Sequence, residues 1–171
     1  EYRRLLIAAE DKHNSRLYHV MLTLCGTGIR VSELSFITVE AVKTGSAEIR
    51  LKGKSRTVIL TKELRQKLMA YAKETGITSG CIFCTRTGRP LDRSNICHDM
   101  KKLCEAARVD PRKVFPHNLR HLFAKSYYAI EKNLARLADI LGHSSVETTR
   151  IYVAAGVKEH ERTLRKMRLI I

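Results

Sequence analysis

Pro116-His117-Asn118-Leu119-Arg120-His121, then Leu141-Gly142-His143, then Thr148-Thr149-Arg150-Ile151-Tyr152, is the stretch on which the reading of this chain turns. Apolar residues at helical spacing predict helices over 117–129, 134–141 and 146–154, so the last third of the chain reads as helical. The ordered His, Arg, His and Tyr on these helices fit a phosphodiester site built around a tyrosine nucleophile. Breaking such a bond without a metal requires positive donors for the phosphoryl oxygens, a proton source for the leaving oxygen, and an activated attacking oxygen.

His117 and Arg120 lie three residues apart at a helix start, where both side chains share a face and the first turn offers N–H groups to an anion. His-x-x-Arg alone describes an ordinary solvated basic helix start equally well. Arg30 follows Thr27-Gly28-Ile29 at the head of another short helix, and Glu33 falls one turn later, placed to hold it by an ion pair. On spacing alone that pair reads as a common surface salt bridge. Tyr152 needs an acceptor and a positive field to act as a nucleophile, because its reference pKa is about 10. His143 is placed to help with both; alone, each would read as an unremarked helix residue.

Upstream, Leu5, Leu6, Ala8 and Ala9 open a helical pattern, and Leu17, Val20, Met21, Leu24 and Cys25 make a second helix ended by Gly26 and Gly28. A short helix is predicted over 29–36. Runs 47–52 and 56–60 are β-prone, and Gly53-Lys54-Ser55 between them predicts a hairpin with a basic tip. Lys52 and Lys54 flank Gly53, where an ammonium can reach a bound group and protonate a leaving alkoxide; hairpin lysines also guard sheet edges or make unspecific phosphate contacts. Thr61 caps a helix carrying Leu64, Leu68 and Tyr71, and 81–85 supplies a third short strand. One long helix is predicted over 92–108, and a charged amphipathic segment over 158–167. The expected fold is α+β, mainly helical, with a small three-stranded antiparallel sheet.

Composition narrows the partners. Lys and Arg number 32 against 17 acidic residues, a formal charge of +15, which is the footprint of a nucleic-acid binder. No apolar run approaches the roughly 20 residues of a bilayer span, and no signal-peptide pattern occurs, so a cytoplasmic location is expected. The 171 residues, 44% apolar, suit one domain over 1–171. Five cysteines without a regular framework fit a reducing compartment. Cys81-x-x-Cys84 has no second ligand arm, so buried thiols are expected there and no metal. The chain opens on Glu1 directly into an amphipathic pattern and reads as a fragment.

Together, Thr27-Gly-Ile-Arg-Val-Ser-Glu-Leu34, Lys52-Gly-Lys-Ser-Arg56, His117-Asn-Leu-Arg-His121 and Leu141-Gly-His with Thr148-Thr-Arg-Ile-Tyr152 resemble the tyrosine recombinase, or phage integrase, family over nearly the whole chain. The resemblance implies that Arg30 and Arg120 clamp a scissile DNA phosphate with His117 and His143, and that Tyr152 attacks it. It implies a catalytic lysine beside the hairpin turn, Lys52 by pairing of the following strand, with Lys54 as the alternative. It further implies a 3′-phosphotyrosine intermediate, no cofactor, double-stranded DNA as substrate, a homotetrameric synapse, accessory DNA-bending proteins in some systems, and integration or excision of a mobile element in a bacterium. Glu33 supports the site, and Lys54, Arg56, Arg86, Arg89 and Arg93 are expected DNA contacts. The resemblance implies an upstream core-binding domain in family members, which is expected to be absent from this chain. Residues 157–171 resemble the family tail, which packs on a neighbouring protomer; its apolar set would equally fold back in cis. Three other readings are weighed. A binding protein with dead chemistry would bind DNA without a covalent adduct. A type IB topoisomerase would relax DNA as a monomer. An RNA-binding module would prefer RNA duplexes.

Overall fold

The computed structural model describes residues 1–51, 53–85 and 87–153; the side chains of Lys54, Tyr152 and Val153 fall outside that description, as do Lys52, Arg86 and the tail at 157–171. Two N-terminal helices form the floor of the molecule. α1 (Tyr2–Asp11) buries Leu5, Ala8 and Ala9, and α2 (Ser15–Thr27) buries Leu17, Val20, Met21 and Leu24, the stripe that 3.6-residue periodicity dictates. Asn14 caps α2 by accepting from the Leu17 N–H. The helix runs through Gly26 and stops at Gly28, whose φ of +68° closes the last turn.

A 3-10 turn (Val31–Phe36) and α3 (Val39–Thr44) lead into the hairpin of β1 (Ser46–Leu51) and β2 (Lys54–Ile59). Leu51 pairs with Lys54, so the turn is tighter than Gly53-Lys54-Ser55 predicts, and Gly53 sits at φ +74° within it. Ala47 and Val58 pair on the inner face, as do Ile49 and Arg56. Alternation therefore sends Arg56 inward, on the side of the buried Ile49 and Val58.

α4 (Lys62–Glu74) is capped by Thr61, as expected, and buries Leu64, Leu68, Tyr71 and Ala72. The third strand expected at 81–85 does not form: among the described residues the sheet has two strands, and this segment makes only isolated bridges, Cys81 to Thr38 and Cys84 to Pro90. Consecutive Ile82 and Phe83 are both fully buried, so the segment has no solvent face to alternate with. The Cys84 thiol turns back to the Cys81 carbonyl, and Pro90 has no N–H with which to continue a ladder. Cys81 and Cys84 are half-buried free thiols.

The helix expected over 92–108 is two, α5 (Arg93–Lys101) and α6 (Cys104–Ala107), jointed at Lys102-Leu103 so that Met100, Leu103, Cys104 and Ala107 all reach the core. α7 (Pro116–Glu131) begins on Pro116 and packs across α2; α8 (Leu134–Leu141) leans on β2 and α7; α9 (Val146–Val153) packs on α7 and α8. A main core fills the space between the N-terminal helices, α4, α5 and the inner face of the hairpin, and a smaller one of Ala124, Leu137 and Leu141 lies beneath α7 and α8. No helix among the described residues is long and apolar enough to cross a membrane. The site forms where α2 and α8 end, α7 begins and β2 passes by.

Candidate active site

Arg120 is the centre of the site and is 2% exposed. Its guanidinium donates to the Gly28 carbonyl at 2.6 Å and the Leu141 carbonyl at 2.7 Å, the ends of α2 and α8, and lies 2.9 Å from His143 Nε2. Gly28 is obligatory for this joint. Its φ is positive, and a Cβ there would overlap the Phe123 ring, one helical turn along α7 from Arg120. The glycine lets α7 approach closely enough for Arg120 to reach the α2 terminus.

His143 follows the left-handed Gly142 that ends α8. A guanidinium has donors only, so His143 Nε2 must accept from Arg120, and Nδ1 carries the proton that it donates to Thr149 Oγ1 at 2.8 Å. Burial, followed by the charges of Arg120, Arg30, Arg56 and then His117, lowers the His143 pKa to about 4. The ring is therefore neutral at pH 7, with both nitrogens committed. Thr149 is completely buried on α9, one turn before Tyr152. It stands in the quoted Thr-Thr pair, but nothing in the spacing marks its hydroxyl as the partner of His143.

Arg30 and Glu33 meet as expected, but in a more demanding setting than a surface pair. Glu33 is completely buried. Its carboxylate accepts from the Arg30 backbone N–H at 2.8 Å and from Arg30 Nη1 at 3.1 Å. Arg56 then grips it with both terminal nitrogens, at 2.9 and 2.8 Å, while Arg56 Nε donates to the Ile140 carbonyl at 3.0 Å. Burial alone would raise the Glu33 carboxyl; the Arg56 fork and the Arg30 N–H outweigh it and hold the group below its ordinary value. All three Arg56 nitrogens thus point inward, where the sequence reading expects a DNA contact. The parity of Arg56 with buried Val58 along β2 is the signal for this placement.

Arg30, Arg93, His117 and Arg120 line one cleft of about 670 Å³ with Ser32 and Asp92. Arg30 and Arg93 are exposed at its mouth, and Arg120 is its buried base. Desolvation, then the charges of Arg120, Arg93 and Arg30, lowers the His117 pKa, and the His121 ring stands edge-on to it at 4.8 Å. A concave surface carrying three guanidinium groups and a neutral imidazole is suited to a phosphate: the forks match its oxygens, and its arrival favours protonation of His117. Arg89 is exposed beyond the cleft; Lys52 and Arg86 lie outside the described residues, and of Lys54 and Tyr152 only the backbone places them, on β2 and α9.

The chain is similar to several tyrosine recombinases. It is 32% identical over 169 residues to the tyrosine recombinase XerD of Bradyrhizobium diazoefficiens, covering 87% of this chain and 53% of that protein. It is 27% identical over 175 residues to the tyrosine recombinase XerA of Pyrococcus furiosus, covering 99% and 60%. The chain thus spans between half and two thirds of these relatives' length. Among solved structures, a crystal structure of XerA recombinase superposes with a TM-score of 0.79 at 27% identity, over 99% of this chain and 62% of that one. XerH bound to its difH substrate before cleavage superposes at 0.76 with 23% identity, over 94% and 50%, and shows the common fold. Residues 1–159 match the phage integrase family, and with the helical fold, its small sheet and this arginine-lined cleft, the chain belongs to that family.

Proposed function

We propose that this chain is the catalytic domain of a site-specific DNA recombinase that cuts and rejoins strands through Tyr152. The phenol oxygen bonds to the scissile phosphorus as the bond to the 5′-oxygen breaks, giving a 3′-phosphotyrosine and a free 5′-hydroxyl. Rejoining is the reverse attack by a 5′-hydroxyl, so the bond energy is retained in the ester. Arg30, Arg120 and His117 stabilise the charge of the transition state. His143 serves as a neutral partner that keeps the Arg120 fork oriented. Lys52, or Lys54 in its place, protonates the leaving 5′-oxygen. Glu33 fixes Arg30; Arg89 and Arg93 contact DNA around the cleft, and Arg86 is a further DNA contact by the family resemblance.

The observation that carries this reading is the convergence of Arg30, His117 and Arg120 on one cleft, with Arg120 bonded to His143 and α9 joined to the same imidazole. DNA duplexes are the substrate, and a homotetrameric synapse in a bacterial cytoplasm, with the tail at 157–171 packing between protomers, is the assembly that the family resemblance supports. The experiment is covalent trapping: wild-type protein and Tyr152→Phe are incubated with labelled nicked duplexes, and SDS-resistant protein–DNA bands are scored. A band lost in the variant is the expected result. A band that survives in Tyr152→Phe removes the nucleophile, and salt-dependent binding with no band from protein carrying its upstream region makes the chain a binding protein.

A further inference from the structure

The proposed function uses Arg120, His143 and Tyr152 but gives no account of a fully buried hydroxyl that touches the site from the nucleophile's own helix. Thr149 is 0% exposed, and its Oγ1 lies 2.8 Å from His143 Nδ1. On the far side of the ring, Nε2 lies 2.9 Å from Arg120 Nη2. Arg120 is in turn fixed by the carbonyls of Gly28 and Leu141. The result is an unbroken chain of hydrogen bonds from the ends of α2 and α8, through a guanidinium and an imidazole, to α9.

The direction of each bond in that chain follows from chemistry. Arg120 can only donate, so His143 Nε2 must present a lone pair. The neutral ring must then carry its proton on Nδ1, which is stable in a buried site only with an acceptor there. Thr149 Oγ1 is that acceptor. The opposite tautomer would aim an N–H at the guanidinium and waste the threonine acceptor. Thr149 and Tyr152 stand at i and i+3 of α9, so they occupy one helical face.

We propose that Thr149 is a positioning residue: by accepting the Nδ1 proton of His143 it selects the tautomer that orients Arg120, and it anchors α9 one turn ahead of Tyr152. The proposal rests on the reading of Tyr152 as the nucleophile. Its consequence is that the phosphate-binding arginine and the attacking tyrosine are aligned by one shared imidazole. A movement of α9 that draws Tyr152 away also breaks the Thr149 bond and loosens Arg120.

The test combines two measurements on the full chain, wild type and the variants Thr149→Ser and Thr149→Val. Imidazole ¹⁵N shifts in wild-type protein at pH 7 report the His143 tautomer without DNA or turnover; the Nδ1–H form is expected, and the Nε2–H form or an imidazolium overturns the proposal. Cleavage of nicked duplexes under single-turnover conditions is then followed against pH. Serine keeps the hydroxyl and is expected within about twofold of wild type, whereas valine, equal in shape, should lose about tenfold to a hundredfold in rate with duplex binding retained, as one buried donor loses its acceptor. The acid limb of the valine profile should move up, because a ring no longer held as an acceptor by Arg120 is more easily protonated, while burial still keeps it below its ordinary value. Equal loss in serine and valine, or none in valine, would mean that Thr149 only fills space. If wild-type protein forms no adduct, the nucleophile assignment fails, and the ¹⁵N shifts still decide the tautomer and its threonine partner.

Discussion

Replacing Arg56 with methionine removes a buried fork while keeping a side chain of similar reach. Glu33 would retain its two bonds from Arg30, but that side chain is 44% exposed and offers one nitrogen, against the two that Arg56 supplies at 2.9 and 2.8 Å from a side chain 14% exposed. The Ile140 carbonyl would lose its Arg56 donor as well. Taking one partner from a buried ion pair costs about 3–5 kcal/mol, and the surviving Arg30 contact places this case near the lower end, at about 3 kcal/mol. For a domain of this size that corresponds to a fall of about 6–12 °C in Tm. Urea and thermal unfolding at pH 7 measure it. Arg56→Lys should fall between, since an ammonium keeps the charge but cannot span both carboxylate oxygens and the Ile140 carbonyl together. The acid dependence is a second check. Glu33 has a folded pKa below its ordinary value, so its contribution is present above that value and lost as pH falls through the folded one. The gap between wild type and Arg56→Met should therefore narrow in acid. A loss below about 1 kcal/mol at pH 7, the range of exposed pairs, would show that Glu33 is hydrated in solution. A gap indifferent to pH would assign the loss to packing of the Arg56 stem against Gly142.

Acid should also weaken the fold through its histidines: His143, with a folded pKa of about 4, and His117 and His121, also lowered, are held neutral in the folded state, so the unfolded chain binds more protons below about pH 6.5. The urea midpoint is expected to fall as pH drops from 6.5 toward 4, less so in His143→Asn; a midpoint that rises would mean that the imidazoles are charged in the fold. The hairpin lysines can be separated by the leaving group: a duplex with sulfur in place of the bridging 5′-oxygen expels a thiolate that needs no proton, so it should restore cleavage to Lys52→Ala while Lys54→Ala needs no rescue. Rescue of Lys54→Ala instead would move the general acid two residues along the hairpin.

The helices with complete punctuation were legible from the sequence. α8 occupies 134–141 as predicted because Asn133 caps one end and Gly142 closes the other. α4 followed from its Thr61 cap, and α7 from its apolar spacing, predicted over 117–129 and observed over Pro116–Glu131. α3 was missed: at six residues it is too short to show a period, and only Thr38 and Gly45 bracket it. The run at 81–85 was read as a strand because apolar runs of that length are ambiguous, and what decides is whether a partner strand lies alongside. Within the site, the residues carrying the family pattern could be named, and Arg30 with Glu33 could be paired from spacing alone. Arg56 could not be placed, since its partners are 23 and 84 residues distant. The same holds for Thr149, whose role depends on which nitrogen of His143 holds the proton.

Arg56 and Arg120 illustrate two ways to immobilise a cation. Arg56 is gripped by a carboxylate, which cancels its charge and makes it a fastener. Arg120 is moored to the carbonyl ends of α2 and α8 and to an uncharged ring. These dipoles fix its direction. A polyanion arriving at the cleft therefore meets a guanidinium already aimed, held in place by helix ends as well as by side chains.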